Sequence, residues 1–204
     1  MRYIVGIDEA GRGPLAGPVA VGVVVVKSDL PREFWKGIRD SKKLTLKARE
    51  AWYKKARLAK SEGLIDFAVA LVSEKVIDTK GIVYAIDFGV KGCLLKLKLI
   101  PEETQVFLDG SLKAPKEYIN QKTIIKGDDK IPVISLASIL AKVTRDKKMV
   151  TLAEHYPDFG LEKHKGYGTK AHIEKISTLG PTSCHRRSFL KNLQSDPKYV
   201  IIKK

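Results

Sequence analysis

Residues 3–26 read Tyr-Ile-Val-Gly-Ile-Asp-Glu-Ala-Gly-Arg-Gly-Pro-Leu-Ala-Gly-Pro-Val-Ala-Val-Gly-Val-Val-Val-Val. Residues 3–7 are short and apolar, the signature of a buried strand, and they run directly into two acids, Asp8 and Glu9. A second strand is predicted over 19–26, where β-branched residues dominate, so the two should form a hairpin with a tight, glycine-rich connection. Gly11, Gly13 and Gly17 in that connection invite comparison with a dinucleotide-binding fingerprint, which needs a helix directly after the glycines to meet a pyrophosphate. Pro14, Pro18 and a valine run stand there instead, which argues against an NAD-binding domain. Beside two acids, the glycines would let a nucleic-acid backbone approach the carboxylates without steric interference.

Working outward, residues 45–60 have helical spacing, with Thr45 as N-cap, Gly63 past the end, and Ala48, Trp52, Ala56 and Ala59 on one face. Residues 66–72 alternate like a third strand. Val83, Ile86, Val90, Leu94 and Leu97 recur with the helical period despite Gly89 and Gly92. Residues 104–108 and 123–125 are further strand candidates. Residues 133–143, apolar on more than one face and dotted with Ser135, Ala137, Ser138 and Ala141, predict a buried, closely packed helix. The order is strand, strand, helix, strand, helix, strand, strand, helix: an α/β protein with a mixed sheet flanked by helices. A core over 1–155 is expected, with a small, mostly helical extension over 156–204 and a ragged tail after Gln194.

The chain carries 38 Lys and Arg against 23 Asp and Glu, a formal charge of +15, and a pI of 9.7. Such an excess implies a polyanionic partner, nucleic acid first. A lysine-rich surface of a heat-stable protein would also suit the 30% charged fraction. Cys93 and Cys184 are far apart and outside any CxxC pair, so a disulfide framework or zinc cluster is not expected and a reducing cytoplasm is. No stretch is long enough to suggest a membrane span.

Acids also end the later strands. Asp109 closes Leu108-Asp109-Gly110, and Asp128 and Asp129 follow Lys126-Gly127. Taken singly, each has an ordinary reading as a turn residue or a helix-start acid. Taken together, acids converging from several strand ends repel unless a cation neutralises them, and a hard, oxygen-loving ion such as Mg²⁺ or Mn²⁺ is the natural occupant. In a cationic protein that arrangement is what a nuclease needs.

Seven segments, in order, resemble the ribonuclease HII family, the prokaryotic type 2 ribonucleases H. They are Gly6-Ile7-Asp8-Glu9-Ala10-Gly11-Arg12-Gly13-Pro14, Asp40-Ser41-Lys42-Lys43-Leu44, Leu108-Asp109-Gly110, Lys126-Gly127-Asp128, the run 134–146 from Ile134 to Asp146, His164-Lys165-Gly166-Tyr167, and His185-Arg186-Arg187-Ser188-Phe189. The last two look most like the bacterial branch. Leu136 stands where the family usually has alanine, which should affect packing only.

The resemblance implies a ribonuclease H-like fold with a central mixed five-stranded sheet and a C-terminal helical part. It implies an endoribonuclease acting on RNA/DNA hybrids and on ribonucleotides embedded in duplex DNA, by two-metal-ion hydrolysis on the 5′ side of the ribonucleotide. Asp8, Glu9, Asp109 and Asp128 would form the catalytic, metal-binding set; Asp129 and Asp146 are not assigned to it. The backbone of Gly11, Arg12 and Gly13 would read the ribose 2′-hydroxyl, Tyr167 would pack on the adjoining deoxyribose, and Lys42 would hold a backbone phosphate. His164 and His185 are given structural roles, because His164 and His172, eight apart, do not share a helix face as a zinc pair would. A monomer is expected. No sliding-clamp motif is evident over 196–204, and the start of the chain at the first strand leaves no place for the added substrate-binding domain of ribonuclease HIII.

Overall fold

The computed structural model describes residues 2–194. The expected ragged tail after Gln194 and the clamp-motif reading of 196–204 lie outside the described residues. Five strands form one sheet in the order β3-β2-β1-β4-β5: β1 (Tyr3–Ala10), β2 (Val19–Lys27), β3 (Ile65–Val72), β4 (Thr104–Asp109) and β5 (Gln121–Ile124). Pairing is antiparallel across β3-β2-β1 and parallel across β1-β4-β5, the expected mixed sheet. The hairpin connection is not a tight turn but an eight-residue loop over residues 11–18, whose Pro14 and Pro18 lack the N–H groups that would extend the ladder inward.

Helices cover both faces. Residues of α1 (Leu46–Ser61) and α5 (Pro132–His155) bury Trp52, Ala56, Leu136, Ile139 and Leu140 against Val24 and Val26. On the opposite face, α3 (Ile82–Leu97) packs Ile86, Val90 and Leu94 against Val21, Val23 and Val25. With apolar neighbours above and below, β2 is buried along nearly all its length, which explains its unbroken valine run. Gly22 lets α5 come close: a Cβ there would stand 2.3 Å from the Ala137 carbonyl oxygen. Small residues on α5 therefore serve intimate helix-to-sheet packing.

Several expectations change. Val83 is 59% exposed and Ala48 only half-buried, because each lies in the first turn of its helix, ahead of the buried run that begins at Ala85 in α3 and at Trp52 in α1. A short helix, α2 (Glu74–Lys80), was not expected; its seven residues bury only Ile77, too little for a periodic signal. Helix α5 runs on to His155, its charged second half keeping Arg145, Met149 and Ala153 on the buried stripe. The strand expected over 123–125 is β5, shifted toward Gln121, with Ile125 exposed. Leu136 is fully buried, the packing role expected of it.

Past a short α4 (Gly127–Lys130) and α5, the chain forms α6 (Leu161–His164), α7 (Lys170–Leu179) and α8 (Arg187–Gln194). This segment has its own apolar cluster, Phe159, Leu161, Ile173, Ile176 and Leu190, but shares it with Leu15 and Ala16 of the β1–β2 loop and Met149 of α5. Through that cluster the extension is anchored on the loop that follows Asp8 and Glu9.

Candidate active site

Ile7 pairs with Leu108 across parallel strands, so Asp8 and Asp109 follow side by side where β4 ends. The pleat puts both on the face covered by α5. Asp109 Oδ1 accepts the backbone N–H groups of Gly127, at 2.6 Å, and Asp128, at 3.4 Å, which seats α4 against β4 and brings its first acid in. One carboxylate oxygen each from Asp8, Asp109 and Asp128 then lie within 4.8 Å of one another.

Glu9 does not join this group. Successive side chains alternate across a strand, and β1 stays paired with β2 through both acids, so Glu9 points away from the face that Asp8 occupies. Its Oε1 instead lies 3.5 Å from the Arg12 guanidinium. It remains electrostatically close: burial, opposed by Arg12 and reinforced by the Asp109 charge, raises its pKa.

Burial comes first among the causes that hold the Asp8 carboxyl well above the usual carboxylate range; the Glu9 and Asp109 charges add to it, while a hydrogen bond from Ser138 opposes it. Ser138 in turn meets Ser41 at 2.9 Å, tying the Asp40–Leu44 turn to α5. Asp128 is raised by burial and then by Asp109 and Asp40, against Lys42, whose Nζ stands 3.5 Å away. Burial lowers the Lys42 pKa, but the Asp128, Asp40 and Asp8 charges outweigh it and the net shift is upward. Asp129 points elsewhere, to Lys43 at 2.7 Å, and Asp146 to Lys142 at 2.8 Å. Buried, mutually repelling oxygens of this kind fit a hard divalent cation, which would replace the solvation they have lost.

The family model for Ribonuclease HII matches residues 5–192. The chain belongs to the ribonuclease HII family. The ribonuclease HII of Caldicellulosiruptor bescii is 47% identical over 194 residues, 95% of this chain and 89% of that protein. That of Clostridioides difficile is 44% identical over 191 residues, covering 94% of this chain and 71% of the relative. Among solved structures, the ribonuclease HII of Archaeoglobus fulgidus, determined in complex with PCNA, superposes with a TM-score of 0.70 at 28% identity over 91% of this chain and 94% of that one. The ribonuclease H2 of Pyrococcus horikoshii gives 0.67 at 24% identity, over 95% of this chain and 100% of that one, a likeness of fold. As a ribonuclease HII, the protein is a ribonuclease H-type hydrolase, and its acidic group accords with metal dependence.

The loop over 11–18 is held from beneath by two arginines whose role could not be read from the residues alone. Arg186 is fully buried; its guanidinium donates to the carbonyls of Gly11 at 2.7 Å, Arg12 at 2.9 Å and Gly17 at 2.9 Å. Arg145, also fully buried, donates to Pro18 at 2.8 Å and Ala16 at 3.2 Å, while its Nη1 has no partner among the described residues. Gly11 sits at φ +90° directly on Arg145, where a Cβ would come 1.9 Å from Nε. Burial, and then the charge of Arg145, pull the Arg186 pKa down to about 9, which still leaves it protonated at neutral pH. The available signal was the spacing: Arg145 falls four residues after Ala141 and four before Met149, on the stripe that faces the core.

Tyr167 is 45% exposed, with the Arg145 guanidinium 6.0 Å from its ring centroid, and Leu15 N–H donates to the neighbouring Gly166 carbonyl at 2.8 Å. The glycine loop and Tyr167 are thus neighbours. Lys42 is brought to the acids; of the four carboxylates expected at the site, Glu9 alone stays outside the group formed by the other three.

Behind Tyr167 lie His172 and His185, both buried, with Nε2 atoms 3.1 Å apart, and His164 stacked on His172. Burial is the main cause that lowers His172 from 6.5 to about 4 and His185 to about 3. Unfolded histidines take up protons below 6.5, whereas these remain neutral until about 4 and 3, so in that window the unfolded chain binds more protons. Stability is therefore full above pH 6.5 and drains away as the pH falls toward those values; for His172 alone the loss is roughly 3 kcal/mol. Thermal melts at pH 5 should have midpoints several degrees below those at pH 7.5, and His185→Gln should narrow the gap. An unchanged gap would mean that other groups govern acid stability.

Proposed function

We propose that this chain is an endoribonuclease that hydrolyses the RNA strand of RNA/DNA hybrids and single ribonucleotides embedded in duplex DNA. Cleavage falls on the 5′ side of a ribonucleotide and leaves 3′-hydroxyl and 5′-phosphate ends. The observation that carries this reading is the meeting of Asp8, Asp109 and Asp128 within 4.8 Å beside the Gly11-Arg12-Gly13 loop. Asp8, Asp109 and Asp128 would hold the cations, and Glu9, now beside Arg12, would complete the set by exchanging that contact for a cation. Mg²⁺ or Mn²⁺ bound there, as a pair, supplies activation of water and neutralisation of charge at the phosphate.

The remaining work belongs to the protein's own groups. Lys42, on an exposed turn next to Asp128, takes a backbone phosphate. Backbone groups of Gly11, Arg12 and Gly13, oriented by Arg186, address the 2′-hydroxyl, the group that separates RNA from DNA. Tyr167 offers an exposed ring to the next sugar. The segment from residue 156 onward acts as a substrate-contacting extension of the core. The net charge of +15 supplies sequence-independent grip through counterion release. A monomer working in the cytoplasm on nucleic acid completes the reading. Among the described residues no helix is long and apolar enough to cross a membrane.

A duplex carrying one ribonucleotide, incubated with Mg²⁺ or Mn²⁺, is expected to yield a single incision at its 5′ side, absent from the all-DNA control and from reactions with chelator. Binding without incision would point to a non-catalytic nucleic-acid protein. Incision of the all-DNA duplex at branched structures would point to a junction nuclease on the same fold.

A further inference from the structure

The two histidines behind Tyr167 form a hydrogen-bond chain with one consistent proton arrangement. A carbonyl can only accept, so the 2.9 Å contact between His172 Nδ1 and the Tyr167 carbonyl makes Nδ1 the protonated nitrogen and leaves Nε2 an acceptor. The backbone N–H of Thr182 points at His185 Nδ1 from 3.0 Å, making that nitrogen an acceptor and putting the proton of His185 on Nε2. His185 Nε2–H then donates to His172 Nε2 at 3.1 Å. Every nitrogen in the chain is matched.

The chain joins two elements that the site needs in register. At one end, His185 forms a bridge with Ala16, flanked by Gly17 N–H to the Cys184 carbonyl and Arg186 N–H to the Leu15 carbonyl, both 2.8 Å. Arg186 is the residue whose guanidinium seats Gly11 and Arg12. At the other end, the Tyr167 carbonyl also accepts from Thr169 N–H at 2.8 Å, and Thr169 caps α7, which carries His172. The backbone at Tyr167 is thereby fastened to the same segment that fastens the glycine loop.

We infer that His172 and His185 are positioning residues that fix the Tyr167 ring relative to the Gly11–Gly13 backbone and so set the enzyme's preference for an RNA-to-DNA junction. This rests on the reading of that loop and Tyr167 as the two contacts to such a junction. Neither histidine touches substrate; each acts through the distance between the two contacts. A buried pair that serves only to fill space would support folding equally for every substrate.

Amide side chains separate these roles. Asparagine places its polar atoms near the Nδ1 position of histidine and glutamine near Nε2. At position 172 each amide cuts the chain: His172→Asn keeps the donor to the Tyr167 carbonyl but loses the acceptor for His185, and His172→Gln does the reverse. At position 185 the two amides differ: His185→Gln keeps the donor to His172, and His185→Asn keeps only the acceptor for Thr182. For each variant, kcat/KM is measured on a duplex with one embedded ribonucleotide and on a uniform RNA/DNA hybrid, with thermal midpoints alongside and Tyr167→Ala as the reference for lost junction contact.

The junction-to-hybrid ratio should fall about tenfold in His172→Gln, His172→Asn, His185→Asn and Tyr167→Ala, and stay within about twofold of wild type in His185→Gln, which keeps the link to His172. Equal ratios for His185→Asn and His185→Gln, whatever the change in melting, or a wild-type ratio in both His172 variants, overturn the inference. A wild-type protein without junction preference overturns the reading of the site, and this inference with it. If the variants do not fold, nitrogen NMR shifts of the wild-type imidazoles decide: Nδ1–H on His172 with Nε2–H on His185 supports the chain, and the opposite tautomers contradict it.

Discussion

Asp109→Asn should lower cleavage by on the order of a thousandfold while leaving duplex binding nearly unchanged. The substitution is chosen because Asp109 has two functions that asparagine separates. Its Oδ1 accepts the Gly127 and Asp128 N–H groups, and an amide oxygen can do the same, so α4 should stay seated and Asp128 in place. What disappears is one negative charge from a buried group whose oxygens lie within 4.8 Å. A divalent cation held by three or four carboxylates loses much of its attraction with one of them, and a loss of about 4 kcal/mol in transition-state stabilisation is a thousandfold in rate. Binding draws on the basic surface and should persist. Single-turnover incision and a duplex-binding titration on the same preparation separate the two. Near-normal turnover with Mg²⁺ would remove Asp109 from the catalytic set, and Asp109→Ala, which also frees α4, should be the less informative variant.

Arg186→Met is expected to be the most damaging single change outside the acids. It would strand the carbonyls of Gly11, Arg12 and Gly17, each now satisfied at 2.7 to 2.9 Å by one buried guanidinium. An unsatisfied buried acceptor costs about 1–3 kcal/mol, and the relief from no longer burying a cation beside Arg145 offsets part of three such losses. A net loss of about 3–5 kcal/mol follows, which for a chain of this size lowers the melting midpoint by roughly 6–20 °C. Activity should fall further than stability explains, because the backbone that faces the substrate is the backbone Arg186 holds. Arg186→Lys should recover a minority of both, since an ammonium cannot span three diverging acceptors as a planar fork does. A melting curve superimposable on wild type for Arg186→Met would show that the loop holds its shape without the cradle.

The legible parts of this protein are the local ones. Apolar runs, their periods and the acids that end them were readable because a strand, a cap or a helix stripe is written within a few residues, as Thr45 before α1 illustrates. That Asp8 and Asp109 stand side by side depends on β1 pairing parallel with β4, a register that nothing local specifies. Glu9 shows what adjacency in sequence leaves undetermined. Adjacency in sequence suggested convergence with Asp8, yet continued pairing of β1 through both residues keeps the strict alternation and sends Glu9 to the other side. Arg145 and Arg186 were hidden because charged residues are read as surface, whereas here their partners are loop carbonyls more than a hundred residues away in sequence. The structural role of His185 was legible, but its pairing with His172, thirteen residues away, was not. Helix α2 escaped because one buried side chain makes no period.

Growing crystals in Mn²⁺ and collecting anomalous diffraction data tests the assembled site most directly. Strong peaks should appear between the carboxylates of Asp8, Asp109 and Asp128, with Glu9 turned toward them, and should be lost in Asp109→Asn. Manganese bound only at the exposed acids, with the three aspartates left unliganded at saturating metal, would contradict the account.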